Sequence, residues 1–151
     1  MNWGEIIFDD FIFLNQSFTS PESAVQFIGE IFEKHHYGTE NYTRAMLKTL
    51  ELYKSIIVLD DGIAMPHARP EEGALQDGLI FIQLNSPLDF GNADFEPVTF
   101  LIGLVSTGAE YHLQLIQLVG NLIEYGIQHQ QFKSKEALKG FVYNVINQEN
   151  L

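Results

Sequence analysis

Two short apolar runs, Leu79–Ile82 and Phe100–Val105, constrain this chain more than any other feature. Each is too short to cross a bilayer and carries almost no polar alternation, which is the pattern of strands buried on both faces. The strands built on them are read as Leu79–Leu84 and Val98–Val105. A sheet buried on both faces needs helices to cover it, and the rest of the sequence supplies them.

Ser20 followed by Pro21 reads as a helix start, with serine as the cap and proline at the first helical position. Ala24, Phe27, Ile28, Ile31 and Phe32 then fall on one stripe, ending near Tyr37-Gly38. A second helix is expected from Thr39 to about Tyr53, a third from Ala109 to about Tyr125 after Ser106-Thr107-Gly108, and a fourth capped by Ser134 with Leu138, Phe141, Val142, Val145 and Ile146 inward. Phe11–Leu14 and Ile56–Leu59 have strand length, Asp60-Asp61-Gly62 is a turn leading to an extended piece that enters Pro66, and Asn85–Pro97 reads as loop. The order predicts an α/β (α+β) fold: a mixed β-sheet covered by helices, in a single layered domain over residues 1–151.

Composition narrows the chemistry. With no cysteine, disulfide scaffolds, thiol nucleophiles and Cys-type zinc sites are excluded. Twenty acidic residues against eight basic ones give a net charge of −12, which disfavours nucleic acid and anionic membranes as partners. The acidic start at Glu5, Asp9 and Asp10 lacks the basic region of a signal peptide, so the expected location is cytoplasmic. Phosphate-loop, nucleophile-elbow, paired-histidine zinc and dinucleotide fingerprints are all missing, and neither cofactor nor metal is expected.

What stands out is Gly62-Ile63-Ala64-Met65-Pro66-His67-Ala68-Arg69-Pro70-Glu71-Glu72. Pro66 and Pro70 fix their own φ and bias the residues before them toward extended geometry, which holds an imidazole at a defined place at low entropic cost. The plain reading of His67 is a turn histidine bonded to nearby backbone. His35 and His36 fit a helix end, and His129 a polar surface. His112 falls in the first turn of the third helix, three and four residues before Leu115 and Ile116, near a terminus that attracts anions. Its plain reading is a core-edge histidine; if it meets His67, one ring can act as nucleophile while the other donates to the anion it carries.

The Gly62–Glu72 segment resembles the active-site motif of the fructose/mannitol-type IIA proteins of the bacterial phosphoenolpyruvate-dependent sugar phosphotransferase system, most closely the ascorbate-type branch. The resemblance spans nearly the whole chain, through Ala45-Met46-Leu47, the Gly-Ile-Ala-x-Pro-His signature, two central strands and Ala109-Glu110-Tyr111-His112. It implies that His67 accepts a phosphoryl group from phospho-HPr and passes it to a IIB component, the membrane IIC being involved only indirectly. It also implies that His112 stabilises that group. Mannitol-type members carry an active-site arginine shortly after Ala-Met-Leu, where this sequence has Lys48-Thr49-Leu50. Arg69 is the candidate substitute, because a guanidinium clamps phosphate with two hydrogen bonds and residues two apart in an extended stretch share a face. Its plain reading is a salt bridge to Glu71 or Glu72.

Phosphoryl transfer asks for positioning and charge stabilisation, which needs no metal or nucleotide in the carrier. In this branch the next acceptor is a cysteine on IIB; with 151 residues and no cysteine here, that acceptor is expected on another polypeptide. Two other functions remain open: a IIA-like regulatory domain whose phosphorylation is read by a partner, and a metal-dependent hydrolase or binding protein using His67, His112 and carboxylates such as Glu71 or Glu110.

Overall fold

The computed structural model describes residues 1–151, apart from the side chains of Lys54 and Ser55. Five strands, β1 (Ile12–Gln16), β2 (Val58–Asp60), β3 (Ile63–Ala64), β4 (Gly78–Leu88) and β5 (Val98–Val105), form one sheet in the order β1-β4-β5-β3-β2. The sheet is mixed: β1 runs parallel to β4 and β3 to β5, whereas the β4/β5 and β2/β3 pairs are antiparallel. Helices α1 (Pro21–Lys34) and α2 (Glu40–Leu52) pack on one face, and α3 (Ala109–Glu124) and α4 (Lys135–Gln148) on the other.

The register of β4 against β5 explains why both strands are apolar throughout. Leu79 faces Leu104 and Phe81 faces Ile102 across the ladder, and all four belong to the core shared with α3 and α4. Ile80 and Ile82, one residue out of phase, join Leu101 in the core under α1 and α2. Alternating residues therefore feed two cores, and each fully buried Leu, Ile or Phe contributes about 1.5–3 kcal/mol. Gly103, opposite Ile80, makes room for α1: a Cβ there would lie 2.6 Å from Ile28 Cγ2.

Helix starts follow their caps. Ser20 and Ser23 form a reciprocal capping box at α1, and Thr39 and Ser134 cap α2 and α4 through their side chains. α1 ends with His36 in the left-handed region, φ 62°, while the Tyr37 amide reaches back to the Phe32 carbonyl in the usual helix-terminating pattern.

Two segments differ from the sequence expectation. Ile56 and Ile57 lie in a short 3-10 turn, Lys54–Ile57, and the strand begins at Val58. The reason is the hairpin itself: β2 pairs only as Val58 with Ala64 and Asp60 with Ile63, so Ile56 has no ladder partner and is 65% exposed. The region 85–97 is also not all loop, because β4 continues through Pro87 to Leu88, which pairs with Val98 after a shift of register. Such an irregularity is where a sheet tolerates proline. Among the described residues, no helix is long and apolar enough to cross a membrane.

Candidate functional site

His67 is carried by chain that leaves the sheet under tight backbone control. Gly62, at φ 82°, turns the chain into β3, and its carbonyl accepts from the amides of Thr99 and Phe100 at 2.8 and 3.0 Å. Beyond β3, the Met65 amide donates to the Ile57 carbonyl at 2.8 Å and the Pro66 carbonyl accepts from the Leu104 amide at 3.0 Å. The half-buried His67 ring then folds back, with Nδ1 2.9 Å from the Met65 carbonyl. A carbonyl only accepts, so Nδ1 carries the proton and Nε2 keeps its lone pair.

The next residue is fastened from the other side. The Tyr42 hydroxyl accepts from the Ala68 amide at 3.0 Å and donates to the Leu104 carbonyl at 2.7 Å. Tyr42 is buried, and burial pushes its phenol well above the ordinary tyrosine range, so it stays a neutral donor.

His112 sits in the first turn of α3, its amide donating to the Gly108 carbonyl at 2.9 Å. Gly108 caps this helix without a side chain, which leaves the terminal amides open to an anion. The loop before it is held by Asp77, whose Oδ1 accepts from the Thr107 amide at 2.9 Å and from its hydroxyl at 3.2 Å. His112 Nδ1 lies 2.8 Å from the hydroxyl of buried Ser106 at the end of β5. Burial, and secondarily the charge of His67, lower the His112 pKa below its ordinary 6.5.

The two rings meet with centroids 6.1 Å apart and planes inclined by 42°. His112 also lines an open depression of about 610 Å³ together with Arg69, Pro70, Glu71, Thr107, Gly108 and Ala109. Arg69 is extended, but its side chain is 76% exposed and paired with Glu72 at 3.2 Å and Glu71 at 3.6 Å. The plain salt-bridge reading thus describes its resting state, while it lines the same depression as His112. After Ala45-Met46-Leu47, Lys48 is exposed, Thr49 bonds back to the Ala45 carbonyl of its own helix, and Leu50 is buried.

The remaining histidines lie outside the pair. His35 packs edge-on against Phe11 and His129 is exposed at the end of a short 3-10 segment. Among the described residues no three His, Asp or Glu side chains converge as a metal-binding set. Sequence reasoning missed Tyr42 and Ser106. The only signal for Tyr42 is a polar-tipped aromatic four residues before Met46 on the inward face of α2; a lone serine after an apolar strand carries none.

The chain is 38% identical to the ascorbate-specific PTS system EIIA component of Shigella boydii over 84 residues, 55% of this chain and 54% of that protein. It thus spans about half the length of the curated relatives it matches. Its structure superposes on the solution structure of the mannitol-specific cryptic phosphotransferase enzyme IIA CmtB from Escherichia coli with a TM-score of 0.82 and 30% identity, covering 95% of this chain and 99% of that one. A complex of enzyme IIA and phosphorylated enzyme IIB for mannitol, also from Escherichia coli, gives a TM-score of 0.73 at 26% identity, covering 88% of this chain and 96% of the matched one. Residues 5–148 match the model of the EIIA 2 family of the phosphoenolpyruvate-dependent sugar phosphotransferase system, and the chain belongs to that family.

Proposed function

We propose that residues 1–151 act as one cytoplasmic IIA-type phosphocarrier domain, taking a phosphoryl group from phospho-HPr on His67 and handing it to a IIB component. The observation that carries this reading is the bond from His67 Nδ1 to the Met65 carbonyl, which leaves Nε2 as the ring nitrogen with a free lone pair beside His112. In the first step that lone pair attacks phosphorus, the P–N bond of a donor ring protonated on its other nitrogen breaks, and the electron pair returns to that ring, which leaves as a neutral imidazole. The proton on His67 Nδ1 stays in place throughout, held in its bond to the Met65 carbonyl. In the second step the IIB nucleophile attacks phosphorus, the P–Nε2 bond breaks, and its electron pair returns to Nε2, restoring the neutral His67 ring.

Charge stabilisation falls to groups around the depression. His112 and the uncapped α3 amides face phosphoryl oxygens as donors, and Arg69 exchanges its carboxylates for phosphate when the group arrives. Similarity to an IIA matched in complex with phosphorylated IIB supports a IIB acceptor. The ascorbate-specific relatives support ascorbate as the carbohydrate served.

The test is sequential labelling: the protein is incubated with labelled phospho-HPr, then with the cognate IIB. Label that enters His67 and moves on supports transport. Label that enters and never leaves points to a regulatory domain instead, and label that never enters overturns the phosphocarrier reading.

A further inference from the structure

Resting on that phosphocarrier reading, we infer that Ser106 is a positioning residue: its hydroxyl donates to His112 Nδ1 and so fixes His112 as an Nε2–H donor aimed at the phosphoryl group on His67. Ser106 is 2% exposed, and the 2.8 Å bond to His112 Nδ1 is the one side-chain contact of its hydroxyl among the described residues. A buried O–H that does not donate loses a full hydrogen bond, whereas an oxygen with a spare lone pair loses little. The hydroxyl hydrogen therefore goes to Nδ1, the ring proton goes to Nε2, and Nε2 has no partner among the described residues. It is left to meet an incoming oxygen.

Ser106 is also well placed to keep the two histidines in register. It lies two residues beyond Leu104, whose amide donates to the Pro66 carbonyl and whose own carbonyl accepts from Tyr42, so the end of β5 holds the His67 segment and His112 together.

The test pairs Ser106→Thr with Ser106→Val, two replacements of the same shape that differ in the hydroxyl. Histidine 15N spectra of the unphosphorylated protein, taken at alkaline pH, are expected to place the proton of His112 on Nε2 in the wild type and in the Ser106→Thr variant. Transfer from phosphorylated protein to IIB should be near wild type for Ser106→Thr and slower by about tenfold for Ser106→Val. Ser106→Ala carries the same expectation as Ser106→Val and leaves no bulk for the core to accommodate. A wild-type His112 protonated on Nδ1, or equal transfer rates for the threonine and valine variants, overturns the assignment. Because the spectra need no phosphoryl group, a protein that never accepts label would sink the phosphocarrier reading while the tautomer of His112 is still decided.

Discussion

His67 and His112 are both tied down through Nδ1, yet the two ties are of different kinds. His67 is tied to a main-chain carbonyl, which accepts and never donates, so its tautomer follows from geometry alone. His112 is tied to a hydroxyl, which does either, and its tautomer depends on the burial of Ser106. In the proposed mechanism one ring is thereby prepared as a nucleophile and the other as a donor. Two identical side chains acquire opposite roles from a single partner atom each.

Removing each ring should separate these roles most sharply. His67→Ala is expected to abolish phosphoryl acceptance while the domain stays folded, because the ring is half-buried at the surface end of the segment. His112→Ala should still accept but pass the group to IIB about 10²-fold more slowly, the scale of one lost donor at a developing charge. Label on a His67→Ala protein would move the acceptor elsewhere. Wild-type transfer by His112→Ala would erase the distinction between the rings.

The supports can be compared as well as the rings. Tyr42→Phe keeps the buried aromatic ring but leaves the Ala68 amide and Leu104 carbonyl without that hydroxyl, at an expected loss of about 1–3 kcal/mol in a urea unfolding experiment. The loss should fall on the His67 side: histidine spectra of this variant are expected to show a changed His67 signal and a nearly unchanged His112. Equal changes at both would mean that the two anchors are not separate.

These anchors also mark where reading the sequence stopped. The four helices were legible because caps such as Ser20, Thr39 and Ser134 and the stripes behind them are local signals. His67 stands out in the sequence because two prolines bracket it, while the role proposed for it comes from the family resemblance. The β-branched run points to a strand start at Ile56, whereas β2 begins at Val58, because its start depends on pairing with Ala64 across the Gly62 turn. Tyr42 and Ser106 were invisible for a similar reason. Tyr42 acts on residues 26 and 62 positions away, and Ser106 matters only because α3 brings His112 over it. Arg69, by contrast, is legible both as extended and as the partner of Glu71 or Glu72, because those carboxylates are its close neighbours in sequence.

The smallest expected effect lies in the titration of His112. Its pKa is held below 6.5 by burial first and by the charge of His67 second. His67→Gln should therefore raise the His112 midpoint only part of the way back, because the burial contribution remains. Phosphorylating His67 should raise it further by placing a dianion beside the ring. The consequence for stability has a definite sign. Below 6.5 the unfolded chain takes up the His112 proton before the folded one does, so this residue's contribution to stability declines as pH falls from 6.5 to the folded midpoint and is then constant. An NMR titration of the wild type and of His67→Gln reads the His112 midpoint in each. A His112 midpoint at or above 6.5 in the unphosphorylated protein would show that burial does not hold its proton off.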